Sequence, residues 1–452
     1  MATTPRVCVI GAGPCGMSFL YQNKKYQQDG DVDLDVVCYE KQSNWGGLWN
    51  YTWRTGLDEY GEPCHGSMYR DLWSNGPKEC LEFPDYTFED HFGKVIPSFP
   101  PRSVLFDYLQ GRWNKANVRD QIQFSTLVKH VTYNTDTDDF TVTVKDLKCD
   151  KVTSERFSHV VVATGHFSVP NVPEFNGIDT FRGRIIHSHD FRKAEEFKDQ
   201  RLLIVGSSYS AEDLALQCRK AGSSDVICCW RTKPMGFKWP KGIEERPLLT
   251  NIDGNKIYFK DGTTADVDTI ILCTGYLYHF PYLSDNLRLK TNLRLYPDGL
   301  YKGTLWMTAG NNKFMYIGMQ DQYYTFTMFD VQAEWACAVV RGKLKLPDRK
   351  SMEHDIQEWI KKESVLKDCY DHIKFQTAFV CDLAKEVGCK YNLNVKEVFD
   401  KWEDDKHEDV ATYRDIPFTS IYTKSPGIKH HTPWMKAFDD SLDTFVNQTP
   451  NK

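Results

Sequence analysis

The 452 residues include 14 cysteines but no C-x-x-C pair, so neither a redox-active dithiol nor a closely spaced zinc-ligand set is readable. Cys8, Cys38 and Cys273 fall inside apolar strand-like runs and read as small buried hydrophobes. The adjacent Cys228 and Cys229 point to opposite faces of a strand, and no metal is expected. This usage fits a reducing cytoplasm. A strong excess of one charge is also missing: the net charge is -6 and no Lys/Arg stripe stands out, which argues against nucleic acid as a partner. No apolar run approaches the roughly 20 residues of a bilayer span. Between Met1 and Ile10 there is no room for the parts of a secretion leader. Repeats and low-complexity tracts are absent too. A soluble, cytoplasmic chain without a membrane partner is the expectation.

What is present is an ordinary globular balance, 41% hydrophobic, 13% aromatic and 26% charged. At this length one core stops growing, so two domains, or one nested in another, are expected. Arg6 to Ile10 reads as a buried strand, broken at Gly11-Ala12-Gly13-Pro14-Cys15-Gly16. An amphipathic stretch to about Tyr26 follows, and Leu34 to Tyr39 returns as a strand ending at Glu40, which makes a βαβ unit. Asn44 to Pro101 is turn-rich and aromatic, and reads as ligand-facing loops more than core. Strand-like runs return at Phe140 to Val144 and His159 to Ala163.

Past Phe167 the pattern restarts: strand Leu202 to Val205, turn Gly206 to Ala211, helix Glu212 to Lys220 and strand Val226 to Trp230. Thr269 to Cys273 and Phe314 to Ile317 complete the strands, and the chain returns to its first domain. The fold class predicted is α/β, with two nested Rossmann-like dinucleotide-binding domains. Residues 1–167 and 275–452 form the first, ending in a helical tail, and 168–274 form the insertion. From about Lys343 the spacing suggests surface helices, Met352 to Lys362 and Asn394 to Asp404 among them, with no recognisable chemistry.

The two fingerprints differ in what they ask for. Gly11, Gly13 and Gly16 permit a tight turn, close approach of a pyrophosphate and close packing of helix on strand. Glu40 ends the second strand 24 positions after Gly16, where a carboxylate accepts hydrogen bonds from a free ribose and repels a 2'-phosphate. NADP is excluded there; FAD or NAD remains. The second fingerprint, Gly206-Ser207-Ser208-Tyr209-Ser210-Ala211, is degenerate, with Ser208 and Ala211 in place of glycines. Its second strand ends at Arg231-Thr232-Lys233, a cationic cluster suited to a 2'-phosphate, so NADPH is implied. With FAD in one site and NADPH in the other, hydride moves from nicotinamide to flavin. The missing cysteine pair argues against a disulfide reductase.

Phe181-Arg182-Gly183-Arg184-Ile185-Ile186-His187-Ser188-His189-Asp190-Phe191 fits F-x-G-x-x-x-H-x-x-x-F. Together with Ala163-Thr164-Gly165, Cys273-Thr274-Gly275-Tyr276 and the two nucleotide motifs in this order, it resembles the flavin-containing monooxygenases over about residues 5 to 340. Asn44 to Trp53, Leu72 to Glu79, Gly318 to Gln322 and His430-His431-Thr432-Pro433-Trp434 are similar, in finer detail, to the bacterial branch that acts on trimethylamine.

The resemblance implies a homodimer whose reduced flavin holds O2 as a C4a-hydroperoxide until a soft nucleophile takes its distal oxygen. Trimethylamine would become its N-oxide, with other tertiary amines, sulfides and indole as slower substrates. It implies catalytic roles for Asn75, beside the flavin, and Tyr209, against NADP+. Further FAD contacts implied are Gln42, Leu48, Trp49, His65 and Val128, with Gln322 and Thr325 on the flavin's far side. Trp73, Ser208 and Ser210 would serve the nicotinamide nucleotide, beside Gly206, Arg231 and Thr232. Trp73, Tyr209 and Tyr323, with Asp321, would suit capture of a trimethylammonium cation. Tyr323 departs from the branch, where a tryptophan usually stands. A Baeyer-Villiger ketone oxygenase is the first rival, opposed by Phe191 where that group has Trp followed by Pro or Asp. A non-oxygenating NADPH-flavin reductase is the second.

Overall fold

The computed structural model describes residues 4–31, 34–291, 293–321, 323–389, 391–392, 394–429 and 445. Arg6–Ile10, nearly all buried and rich in β-branched residues, has the makeup of a strand covered on both faces. It pairs in parallel with Asp35–Tyr39 on one side and His159–Val162 on the other. Ile122–Gln123 and Phe314–Tyr316 extend the parallel set, and two short antiparallel strands, Leu300–Tyr301 and Leu305–Trp306, complete a seven-stranded sheet. The crossover helix Pro14–Gln28 starts on a proline, whose absent N–H costs nothing at that position.

A second sheet is entirely parallel, in the order Ile243–Pro247, Asp225–Trp230, Arg201–Val205, Thr269–Leu272, Arg184–His187. Cys228 and Cys229 do face opposite sides of it, one in each of the two apolar layers that sandwich the sheet. The chain leaves the first sheet after Val162 and comes back after Leu272, and these two linkers are tied together. Asn171 N donates to Gly275 O at 2.9 Å and Leu277 N to Val169 O at 2.9 Å. Two three-stranded antiparallel sheets, 126–157 and 249–266, flank the main ones.

The structure corrects three sequence expectations. The second crossover helix runs Tyr209–Lys220, three residues earlier than expected, so Tyr209 and Ser210 belong to its first turn. Asn44 to Pro101 is mostly irregular, apart from the short helix Phe88–Phe92, but Trp45, Phe83, Phe88, Ile96 and Phe99 are buried in the main core. Their aromatic faces pack protein against protein. The C-terminal helices are not simply surface helices: Trp359, Phe379, Phe399 and Trp402 join the same core. In Arg349–Glu363 and Val395–Glu408 a narrow apolar stripe lies within a charged sequence, and one buried face suffices to dock each helix.

One polar network anchors the first sheet's helices. Arg112 is fully buried, with Tyr21 and Phe83 rings 3.7 Å from its guanidinium carbon. It pairs with Asp330 at 2.8 Å and Asp85 at 3.0 Å, and Asp330 accepts from Gln22 at 2.7 Å. Removing one partner of such a buried pair costs about 3–5 kcal/mol, because the other charge is left unpaired. Asp330 is one turn into the helix Phe326–Val340, so this network also sets where that helix begins.

Candidate active site

The first glycine turn is shaped for a ligand backbone. Gly11, at φ +98°, could not carry a Cβ without bringing it to 2.9 Å from Ala163 O, and a Cβ on Gly16 would collide with Gly11 O. Gly13 is the N-cap of Pro14–Gln28; no side chain caps that helix end and no acid lies in its first turn. Its free N–H groups and dipole suit a pyrophosphate. Glu40 is buried, and its two oxygens accept from Ala12 N and Gln42 N at 2.7 Å each. Burial pushes its carboxyl up while those two N–H groups pull it down. Each oxygen keeps a lone pair for a ribose hydroxyl.

Of the other residues predicted for this site, Gln42, Leu48 and Trp49 lie in the segment that bonds the turn. Gln42 donates to Gly47 O at 3.2 Å and accepts from Asn50 at 3.3 Å, which ties it to the Leu48–Trp49 loop. Gly46 N bonds Ala12 O at 2.8 Å, and the Trp49 ring meets Phe326 edge-on at 5.6 Å. Val128 lies two residues past Thr126, whose N–H bonds Glu40 O at 2.9 Å. Thr325 caps Phe326–Val340 by position only; its hydroxyl is buried with no hydrogen-bond partner among the described residues. That orphaned group at a helix N-terminus fits a polar ring edge. His65 is half-buried, its imidazole pushed down to about 4 by burial and by Lys41. Gln322 and the His430 to Trp434 stretch lie outside the described residues.

The second turn has the same plan with less of it filled in. Gly206 sits at φ +145°, where a Cβ would run into Cys273 O, and its N–H bonds Cys229 O at 2.9 Å. Ser207 and Ser208 are exposed, and Ser208 caps the Tyr209–Lys220 helix without a side-chain hydrogen bond. Arg231, Thr232 and Lys233, at the strand end matching Glu40, are all exposed. A guanidinium and an ammonium in water there suit a phosphate that arrives and leaves. Both turns lie at the carboxyl edges of their parallel strands, where open α/β sheets bind ligands. A cavity of about 400 Å³ lined by Arg201, Asp225, Gly242, Arg246 and Asp266 opens at the amino edge instead and holds no predicted residue.

Tyr209 belongs to the second turn itself, and Asn75 stands on a separate loop. Asn75 is exposed on a loop held by Ser74, whose N–H bonds Pro100 O at 2.9 Å and whose carbonyl accepts from Arg414 at 3.0 Å. Trp73 pairs with Pro101 and meets Phe445 edge-on at 5.5 Å. Tyr209 and Tyr323 meet edge-on at 6.4 Å, and burial pushes both hydroxyls up. Asp321 is exposed nearby in sequence.

The helix Val395–Glu408 supplies residues that sequence reasoning missed. Trp402 stacks on Tyr209 at 6.1 Å and meets Tyr323 at 6.2 Å, and its ring would lie 3.9 Å from a Cβ at Gly76. One indole thus bridges the Asn75 loop and Tyr209. Its N–H is buried with no acceptor among the described residues. Val395, Phe399 and Trp402 at helical spacing gave the only signal, and that pattern is the ordinary mark of a docked helix.

Comparisons with known proteins identify the family and the fold. The FMO-like profile, described as flavin-binding monooxygenase-like, matches residues 4–233 and 242–401. A trimethylamine monooxygenase from Methylocella silvestris is 54% identical over 98% of both chains. The crystal structure of Tmm from a Pelagibacter strain superposes with a TM-score of 0.94 at 51% identity, covering 97% of this chain and all of that one. The S-allyl-L-cysteine S-oxygenase of Allium sativum follows at TM-score 0.80 and 27% identity, with 92% and 95% covered.

Proposed function

We propose a specific reaction for this chain, which belongs to the flavin-binding monooxygenase-like family and is a flavin-dependent monooxygenase: trimethylamine, NADPH, a proton and O2 give trimethylamine N-oxide, NADP+ and water. The observation that carries the cofactor assignment is the contrast at the two strand ends, a buried Glu40 beside one glycine turn and an exposed Arg231 beside the other. It supports FAD in the first and NADPH in the second. The choice of trimethylamine is supported by the 54% identity to the Methylocella enzyme over nearly the whole of both chains.

When bound, the flavin takes hydride from NADPH and activates O2; the protein's residues then have the tasks of binding, orienting and keeping water out. Gly11, Gly13, Gly16, Glu40, Gln42, Leu48, Trp49, His65 and Val128 would hold the FAD, and Gln322 and Thr325 are assigned to it as well. Gly206, Ser208, Ser210, Arg231, Thr232 and Trp73 hold the NADPH. Asn75 presents an amide able both to donate and to accept at the reacting edge. Tyr323 offers a ring face to an alkylammonium, which must lose its proton before it is oxidised, whereas the Tyr209 ring already carries the Lys406 ammonium at 4.6 Å. Other tertiary amines, sulfides and indole are slower substrates, the chain is a cytoplasmic homodimer, and residues 168–274 form the inserted domain.

The test mixes FAD-loaded protein with NADPH in air, with and without trimethylamine, and follows NADPH loss and N-oxide together. Equal amounts support the reaction. A ketone-dependent NADPH loss with ester product would replace it by Baeyer-Villiger chemistry, and NADPH loss indifferent to the amine, ending in peroxide, would leave a flavin reductase.

A further inference from the structure

Val395–Glu408 carries a charged cluster where a docked helix needs only apolar residues. Glu403 and Lys406 are 2% and 3% exposed, and Glu212, on the Tyr209 helix, is 3% exposed. Lys406 Nζ lies 3.3 Å from Glu403 Oε2 and 3.7 Å from Glu212 Oε2. The same ammonium stands over the Tyr209 ring at 4.6 Å and the Trp402 ring at 4.7 Å, with Phe237 at 5.9 Å. The Tyr209 hydroxyl donates to Glu403 Oε1 at 3.3 Å. Tyr209 is thus held at both ends, its ring by a cation and its hydroxyl by a carboxylate, from one turn of one helix.

Burying an ammonium and two carboxylates is expensive, and apolar residues of the same bulk commonly stabilise such a site equally well. Retention of the charges is understandable if they fix the orientation of something. Among the described residues, the aromatic hydroxyl bonded to this cluster is that of Tyr209, in the first turn of the helix that follows the second glycine turn.

We propose that Glu403 and Lys406 are positioning residues that set the posture of Tyr209, and through it the fraction of NADPH electrons that ends in oxygenated amine. This rests on the assignment of Tyr209 to the reacting face. Coupled turnover consumes NADPH, H+, O2 and amine and yields NADP+, water and amine oxide. With Tyr209 released, water reaches the reacting face, and the same NADPH, H+ and O2 yield NADP+ and hydrogen peroxide, with the amine untouched.

The experiment compares Glu403→Gln, Lys406→Met, Tyr209→Phe and the double variant Tyr209→Phe/Glu403→Gln, all FAD-loaded. Flavin content and melting temperature are recorded first, then peroxide per NADPH at saturating trimethylamine, and NADP+ affinity by calorimetric titration. Glu403→Gln keeps the shape and an acceptor, so it should fold where Lys406→Met, which removes the buried ammonium from between two acids, fails. Expected is a several-fold rise in peroxide per NADPH for Glu403→Gln at unchanged flavin content, a similar rise for Tyr209→Phe, and no further rise in the double variant. NADP+ binding should weaken about as much in the double variant as in each single one. Peroxide and NADP+ affinity unchanged in Glu403→Gln, or effects that multiply in the double variant, would overturn the proposal. If Tyr209→Phe alone is indistinguishable from the parent, the placement of Tyr209 fails first.

Discussion

At the end of the second strand of the first nucleotide unit stands Glu40, buried and held by two backbone N–H groups at 2.7 Å; at the equivalent place in the second unit stands Arg231, exposed. The helix after the first turn has no acid in its first turn, while the helix after the second carries Glu212 there. The first place is finished before any ligand arrives, because its recognition group is already oriented and desolvated. The second leaves its charges in water and its helix end partly compensated by an acid. A finished site suits a group that stays bound through many turnovers, and an open one suits a coenzyme that is exchanged in each.

The largest expected effect would break the finished half. Arg112→Leu leaves Asp330 and Asp85 without their buried cation and should cost about 3–5 kcal/mol of stability. Melting temperature should drop, and the protein should be purified with little flavin, read from its visible absorbance. If both hold at parent values, the network is not what sets the first site.

The next test separates the halves. Arg231→Ala should raise the KM for NADPH by about 10- to 100-fold, matching about 1.5–3 kcal/mol for a charge-assisted contact to phosphate, with flavin content unchanged. NADH kinetics should hardly move. An equal effect on both coenzymes would mean that Arg231 does not read the 2'-phosphate and that the contrast between strand ends has another origin.

Glu40→Gln should weaken flavin retention by about 10-fold, since an amide offers one acceptor where the carboxylate serves two N–H groups, a loss of roughly 1.4 kcal/mol. Flavin release on dialysis measures it. A graded effect sits at the joint between the halves. His166, in the outgoing linker, and His187, at the end of Arg184–His187, are both pushed down from 6.5 to about 4 by burial. Unfolded, each imidazole gains a proton near 6.5; folded, it resists one until about 4, so their contribution is whole above that window and is lost as pH falls through it. Each imidazole should lower stability by about 1.4 kcal/mol per pH unit between pH 6.5 and pH 4, and His166→Phe should flatten the slope of melting temperature against pH.

Much of this contrast is legible in the chain itself. The strand Arg6–Ile10, its glycine turn, Glu40 and the repeat of that pattern ending at Arg231 depend on local rules: β-branched runs, tight turns that exclude a Cβ, and a charge at a strand end. Those rules act over a few residues and survive in the order of letters. The motif Phe181 to Phe191 was legible only through its resemblance to a family, and the hydrogen bonds from Asn171 and Leu277 that tie the two linkers together were not legible at all.

Asn44 to Pro101 and the C-terminal helices were read less well. Their aromatic and charged residues have no period that tells a ligand-facing loop from a core-filling one, so whether Phe83 stacks on Tyr108 or waits for a flavin is decided by its distant neighbours. The same holds for Val395–Glu408. The amphipathic pattern specifies a helix with one buried face, and nothing in it says that Trp402, Glu403 and Lys406 come to rest on Tyr209, 194 positions from Glu403 in the chain. The sequence by itself determined the two βα turns and the opposite charges beside them, because backbone sterics and electrostatics at a strand end are local. Only the tertiary structure decided what surrounds Asn75 and Tyr209, because a buried ion cluster and an aromatic stack are stable only when chain folding brings remote residues together and removes water from between them.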